Sequence, residues 1–342
     1  MFKELTKPFI IAEMSSNHNQ SLERALLLVE EAAMCAVDAL KIQTYTPDTI
    51  TIDSDRDEFL IKDKDSLWNG ETLYSLYKKA YTPWNWDKPI FDKCAELGLI
   101  GFSTPFDFSA VDFLENLNVP FYKISSFENY DLPLLKYVAK TRKPVIMSTG
   151  MIKLDELKES VSALKENGCP EMVLLKCTST YPADPKDTNL VTITDMQKQF
   201  PDCVIGLSDH TLGTAISVAS IALGAKVIEK HFTLSRAEVG VDSAFSMEPD
   251  EIRKLVSDVN TVYQSLGSIF YGHTEAEIPS LKFRRSLYIV KDIKKGEIFT
   301  AENVKSIRPA NGLPTRIYEE IIGKKAVISI AAGTPLKRNM YN

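Results

Sequence analysis

The feature that most constrains this chain is an eightfold repetition of one unit. Short runs rich in β-branched residues recur at PFIIAEMSS (8–16), ALKIQTY (39–45), LIGFSTPF (99–106), PFYKISS (120–126), PVIMSTG (144–150), MVLLKCTS (172–179), CVIGLSDH (203–210) and KVIEKHFT (226–233). Between them lie segments with helical spacing, such as SLERALLLVEEAAMCAV (21–37), KLDELKESVSALKENG (153–168) and EIRKLVSDVNTVYQSLG (251–267). In the last of these, Ile252, Leu255, Val256, Val259, Tyr263 and Leu266 form one apolar stripe. Strand then helix, eight times over, predicts an α/β fold of the (β/α)8 TIM-barrel type. A doubly wound open sheet is the competing topology, but no G-x-G-x-x-G follows the first strand, and eight strands suit closure.

A chain of 342 residues exceeds one average domain. The barrel is expected over 1–267, a linker over 268–282, and a small unit of short strands and turns over 283–342. Residues 46 to 84 form a long insertion after the second strand, which predicts either a functional lid or disorder. The net charge of −6 offers no basic footprint, so nucleic acid is excluded as a partner. No apolar run approaches the length of a membrane span. The five cysteines (35, 94, 169, 177 and 203) form no C-x-x-C pair and read as reduced core residues, which predicts a cytoplasmic protein.

Barrel enzymes carry their chemistry where the strands end, and the polar residues of this sequence cluster there. The ends offer Glu13 and Asn17, Lys41 and Gln43, Ser103 and Thr104, then Lys123, Ser125, Ser126 and Glu128. Later ends offer Ser148 and Thr149, Thr178, Ser179 and Tyr181, Ser208, Asp209 and His210, and finally Glu229 and His231. Residues two apart in a strand share a face. Val227, Glu229 and His231 therefore point one way, as do Gly206, Ser208 and His210, and Ile11, Glu13 and Ser15. Two imidazoles and two carboxylates are thus expected in one cavity, able to hold a divalent metal with open positions. Lys41 and Lys123 are expected to grip a ligand anion rather than to pair with Glu13 or Glu128. Cys177 and Met147 read as core, and His18 and His273 as surface or loop residues.

In order, IAEMSSNHNQS, LKIQTY, GFSTPFD, YKISSFE, VIMSTGM, KCTSTYP, IGLSDHT and EKHFTL resemble the sialic acid synthase family, which condenses phosphoenolpyruvate with an amino sugar to give nine-carbon ulosonic acids. The resemblance covers nearly the whole chain. VKDIKKGEIFTAENV and IRPANGL resemble the antifreeze-like SAF domain, of β-clip fold, that these synthases carry. The resemblance implies that His210 and His231 bind a divalent ion, Mn2+ with Mg2+ or Co2+ as alternatives. Glu13 would act beside it as base or orienting carboxylate, and Glu229 near the attacking water. Lys41, Lys123, Ser126, Ser148 and Ser208 would hold phosphoenolpyruvate, the lysines stabilising charge on the departing phosphate. Gln43, Thr104, Phe106, Tyr181 and Asp242 would face the sugar. It further implies a domain-exchanged homodimer in which Arg308 reaches the sugar bound by the other subunit.

Within the family, NHNQS, TLYSLYKKAYTPWNW, GVDSAFSMEPDE and Ser179 resemble the pseudaminate branch, which implies a 2,4-diacetamido-2,4,6-trideoxy-altrose substrate. N-acetylneuraminate or legionaminate synthesis, from N-acetylmannosamine or a related diacetamido sugar, is the alternative. Trp68, Tyr74, Tyr81 and Trp84 of the insertion are candidates for an apolar contact to the deoxy carbon. Two rival readings are a Schiff-base aldolase using Lys123 or Lys176, and an ice- or glycan-binding module built on the C-terminal unit. The charged surface of VKDIKKGEIFTAENVKS argues against the latter.

Overall fold

The computed structural model describes residues 1–63, 68–238 and 240–342. It divides into two compact units, Met1–Gly267 and Ser268–Asn342. In the first, eight parallel strands close a barrel in sequence order: β1 (Phe9–Glu13), β2 (Ala39–Thr44), β3 (Ile100–Pro105), β4 (Tyr122–Ile124), β5 (Val145–Ser148), β6 (Met172–Cys177), β7 (Val204–Asp209) and β8 (Val227–His231). All eight lie inside the runs that the sequence pattern marks. The three helices singled out above form over Leu22–Met34, Leu154–Glu166 and Pro249–Leu266. The first starts where the Ser21 side chain accepts a hydrogen bond from the Arg24 amide, satisfying one of the free N–H groups of its opening turn.

Alternation along the strands separates two cores. Outward residues such as Ile10, Leu40, Ile124, Leu174 and Ile228 pack against the helices. Inward residues at the N-terminal half of the barrel are Phe9, Ile11, Ala39, Phe102, Phe121, Ile146, Val173, Leu175, Val204 and Val227. Phe2 plugs that end, its ring 5.6 Å from Phe9 and 5.0 Å from Phe121 in edge-on contact. The lower barrel is therefore a filled apolar core, and the inward polar residues are all left at the upper, C-terminal end. Closure pairs β1 with β8, setting Ile11 beside Glu229 and Glu13 beside His231, while Ser208 pairs with Glu229.

The insertion is folded where it is described. It contains a helix over Leu73–Ala80, a single turn at Pro47–Ile50 and a bridge between Leu60 and Thr72; residues 64–67 lie outside the described residues. His18 departs from expectation. It is fully buried, its Nε2 3.1 Å from the Thr82 hydroxyl and its ring edge-on to Trp86, and burial brings its pKa down to about 4. A loop histidine is buried here because the insertion folds back over the loop after β1, a contact that spans 64 positions of sequence. His273 is exposed, as expected.

The second unit pairs β9 (Ser286–Ile289) antiparallel with β10 (Val304–Ile307), around a core of Leu287, Ile289, Phe299, Val304, Ile321 and Leu336. Segment 268–282, read from the sequence as a linker, is grouped with this unit and runs into a 3-10 helix over Glu275–Phe283. The Ala310 amide donates to the Lys282 carbonyl. Among the described residues, no helix is long and apolar enough to cross a membrane.

Candidate active site

A cavity of about 570 Å³ opens at the C-terminal ends of the strands. Its floor is an alternating array of four buried charges. Lys41 Nζ lies 2.7 Å from Glu13 and 4.0 Å from Glu229, and Lys123 Nζ lies 3.4 Å from Glu229. The expectation that both lysines would be left to a ligand is thus corrected in part, because each has a carboxylate beside it. The partner of Lys123 is Glu229 and not Glu128. Glu128 instead accepts from the Ser125 hydroxyl, and burial raises it to about 6.

The two carboxylates of the array are driven apart. Burial, reinforced by the charge on Glu229, holds Glu13 above the ordinary glutamate range despite Lys41. Glu229 is equally buried, but Lys123, Lys41 and His210 together hold it below that range. Neighbouring carboxyls whose pKa values are pushed in opposite directions are suited to divide acid and base roles between them. Gln43 donates to Glu13 Oε1 at 2.9 Å and to the Ser15 hydroxyl at 3.0 Å, fixing the Glu13 carboxylate in place.

Beside Glu13 stand the two imidazoles, with ring centroids 5.3 Å apart. His210 Nδ1 donates to the Thr178 carbonyl at 2.8 Å, so a proton is on that nitrogen and Nε2 is the one an ion would use. His231 is kept neutral by burial and by the surrounding cations, and its buried Nδ1 has no hydrogen-bond partner. Among the described residues no set of three His, Cys, Asp or Glu side chains could hold a metal ion. The donors present fit an ion held by two imidazoles with its remaining positions left to water or substrate oxygen. Tyr181, whose ring lies 4.4 Å from that of His210, and Phe245, at 5.0 Å from His231, wall off this corner.

Around Lys123 the cavity is lined with hydroxyls. Lys123 donates to the Ser148 hydroxyl at 2.7 Å, and the Ser126 hydroxyl accepts from the Gly150 amide at 3.1 Å. A Cβ at Gly150 would stand 2.1 Å from the Ser179 hydroxyl and 2.7 Å from that of Ser126, so only glycine lets these groups converge. Asn129 holds the loop from behind, donating to the carbonyls of Ser148 and Gly150 at 3.1 and 2.9 Å.

Gln43, Phe106, Tyr181 and Asp242 line the cavity, as do Ser126, Ser148 and Ser208. Asp242 is anchored by the hydroxyls of Ser15 and Ser16 at 2.5 and 2.8 Å. Thr104 is not part of the lining; it is buried and accepts from Lys41 at 3.1 Å. Of the four insertion aromatics proposed for an apolar contact, only Trp68 lines the cavity. Trp84 stacks on Phe113 with centroids 4.9 Å apart, and Tyr74 bonds Asp48. The apolar wall is made chiefly by residues that the sequence reading missed: Ile50, Ile61, Leu73, Leu76 and Tyr77. The helical spacing of Leu73, Leu76, Tyr77 and Ala80 was the available signal.

Cys177, read as core, is buried but lines the cavity. Burial would raise its thiol, yet the adjacent His210 brings it down to about 7. Lys176 points out of the barrel and donates to the Cys177 carbonyl, which removes it as a Schiff-base candidate. Arg308 is exposed within the second unit.

Comparison with known proteins decides between these chemistries. The NeuB family model matches residues 28–271, and the SAF domain model matches residues 284–342. This chain belongs to the NeuB family. Members of the family are phosphoenolpyruvate-dependent nonulosonic acid synthases, and the chain is an enzyme of that kind. It is 44% identical to the pseudaminic acid synthase of Campylobacter jejuni, over 98% of this chain and 97% of the relative. It is 39% identical to that of Helicobacter pylori, over 97% of each. Among solved structures, the spore coat polysaccharide biosynthesis protein of Bacillus subtilis superposes with a TM-score of 0.66 at 32% identity, covering 98% of this chain and 95% of that one.

Proposed function

We propose that the chain condenses phosphoenolpyruvate with 2,4-diacetamido-2,4,6-trideoxy-altrose and water, giving pseudaminic acid and phosphate. The observation that carries this reading is that one cavity joins buried lysines and hydroxyls to a carboxylate with two imidazoles beside it. Lys41, Lys123 and the hydroxyls of Ser126, Ser148 and Ser208 suit an ester of phosphate and carboxylate. Glu13, next to Lys41, together with His210 and His231 suits an aldehyde held against that ester. A divalent ion on the two imidazoles, Mn2+ or else Mg2+ or Co2+, would supply polarisation of the aldehyde oxygen.

The remaining work falls to the chain. The methylene carbon of phosphoenolpyruvate forms a bond to the aldehyde carbon as the C=O π bond breaks, and Glu13 supplies the proton that turns the former aldehyde oxygen into a hydroxyl. Ionised Glu229 takes a proton from the water that adds to the cationic carbon next to the carboxylate. The ester C–O bond then breaks; phosphate leaves with the bonding pair and takes up the proton of the adduct's hydroxyl, while Lys41 and Lys123 balance its charge. The oxygen supplied by water becomes the keto oxygen of the product.

Gln43, Phe106, Tyr181 and Asp242 would contact the sugar, with Thr104 acting through Lys41. The wall of Ile50, Ile61, Leu73 and Leu76 favours a substrate with a methyl where other amino sugars carry a hydroxyl, because that hydroxyl would be buried without a partner. Exposed apolar side chains on loops that follow β4, β5 and β7, namely Phe127, Tyr130, Met151 and Leu212, support a homodimer in which a second copy's C-terminal unit covers the mouth and brings Arg308 to the sugar. Five free cysteines fit a reducing, cytoplasmic setting.

The test is product mass spectrometry with phosphoenolpyruvate and three sugars: the altrose-configured diacetamido sugar, its legionaminate-precursor isomer and N-acetylmannosamine. The altrose sugar should give product and phosphate fastest, EDTA should abolish turnover, and manganese should restore it. Preference for N-acetylmannosamine, or full activity after exhaustive chelation, would overturn the substrate or the metal assignment respectively.

A further inference from the structure

We infer that the buried ion pair between Asp209 and Lys230, on the outer face of the barrel wall, positions the two histidines of the site. The inference rests on the metal assignment proposed above. Outward positions of β7 and β8 are otherwise apolar: Ile205, Leu207 and Ile228 pack into the helix layer. The charged pair appears only at the step next to each histidine, where Asp209 and Lys230 are register partners on adjacent strands. They are 3% and 2% exposed. An apolar pair of similar volume would stabilise such a wall as well or better, so stability alone does not account for them.

Their hydrogen bonds converge on the residue that follows His210. Asp209 Oδ1 accepts from the Thr211 amide at 2.9 Å and from its hydroxyl at 2.7 Å, and Lys230 Nζ donates to the Thr211 carbonyl. Asp209 Oδ2 lies 3.1 Å from Lys230 Nζ and accepts from the Ser217 hydroxyl at 2.6 Å, tying the arrangement to the helix Ala215–Ala222. Thr211 is thus held at its amide, hydroxyl and carbonyl just as the chain leaves the strand ladder. His210, bracketed between two anchored residues, has its ring fixed further by Thr178. On β8, Lys230 anchors the backbone immediately before His231, whose carbonyl accepts from the Met247 amide at 2.8 Å. Glu251 is the other charge acting on Lys230. Groups behind metal ligands commonly set their affinity in this way.

The experiment measures Mn2+ binding to substrate-free protein by the EPR signal of the free ion. The double variant Lys230→Met/Asp209→Asn removes both charges together, so neither is left unpaired, and asparagine keeps an acceptor for Thr211. It should bind Mn2+ about tenfold to a hundredfold more weakly, while phosphoenolpyruvate affinity measured without metal stays within about twofold. Ser217→Ala, which removes only the tether to the helix, should weaken Mn2+ binding several-fold. His210→Ala tests the metal assignment itself: wild-type manganese affinity there would overturn that assignment. If His210→Ala loses the ion but the folded double variant binds it as wild type does, the ion pair serves only the fold and the inference is wrong. Should the double variant not fold, Ser217→Ala decides, since unchanged manganese affinity there also refutes the inference.

Discussion

Replacing Glu13 by glutamine separates a proton-exchanging carboxylate from a mere ion-pair partner. The side chain keeps its volume, so the cavity keeps its shape, but the acceptor 2.7 Å from Lys41 loses its charge, and the new amide faces donors on Lys41 and Gln43. Breaking a buried pair by removing one partner costs roughly 3 to 5 kcal/mol. The lower end applies here, because Lys41 retains Glu229 at 4.0 Å and the Thr104 hydroxyl at 3.1 Å. At about 2–4 °C per kcal/mol, the range for domains of about 150–250 residues, the melting temperature should fall by roughly 6 to 12 °C, leaving the protein folded at assay temperature. Phosphoenolpyruvate affinity should hold or tighten, since one negative charge beside its binding site is gone. Turnover should drop by about a hundredfold, equivalent to roughly 2.7 kcal/mol of barrel-site transition-state stabilisation. The limb of the pH–rate profile contributed by this carboxyl, displaced upward from the ordinary glutamate range, should vanish with it. The assay is phosphate release under saturating substrates, with product confirmed by mass spectrometry. A turnover within a few-fold of wild type would show that Glu13 only neutralises Lys41.

Gly150→Ala should raise the KM for phosphoenolpyruvate by at least about tenfold without changing Mn2+ affinity, because its Cβ would displace the Ser126 and Ser179 hydroxyls; an unchanged KM would mean that the serines are not needed together. Asp87 is fully buried, and burial raises its carboxyl from 3.8 to about 8 against a single bond from Thr44. A carboxyl raised on folding stabilises the protein fully below its unfolded value and loses that contribution as pH rises through the folded value, up to about 6 kcal/mol here. The melting temperature of the wild type should therefore fall between pH 4 and pH 9 by more than that of Asp87→Asn, and parallel curves would refute the buried neutral acid. Glu13→Ala and Arg308→Ala, each inactive, should regain about a quarter of wild-type activity when co-refolded in equal amounts, since half the dimers are mixed and each carries one intact site. No recovery despite proven subunit exchange would place Arg308 outside the neighbouring site.

Much of this protein is written in local pattern. Period-two alternation alone put Glu13, Ser208, His210, Glu229 and His231 on inward faces, and the eightfold repeat implied that those faces meet, because a closed parallel barrel leaves its inward side chains nowhere else to go. Alternation does not say which inward charges become neighbours. That depends on how each strand is staggered against the next, and the stagger set Lys123 beside Glu229 rather than Glu128, and Lys41 between Glu13 and Glu229. Nor does it say what covers a loop. His18 was buried, and the apolar wall of Ile61, Leu73 and Leu76 built, by an insertion packing onto strands it does not adjoin in sequence. The outward pair of Asp209 and Lys230 shows the same limit from the other side of the wall. Each residue alone reads as a polar interruption in a strand, and only the contact of β7 with β8 makes them partners. Facing is a property of the backbone repeat, whereas partnership is set by long-range packing, where desolvation makes an unmatched charge too costly to leave.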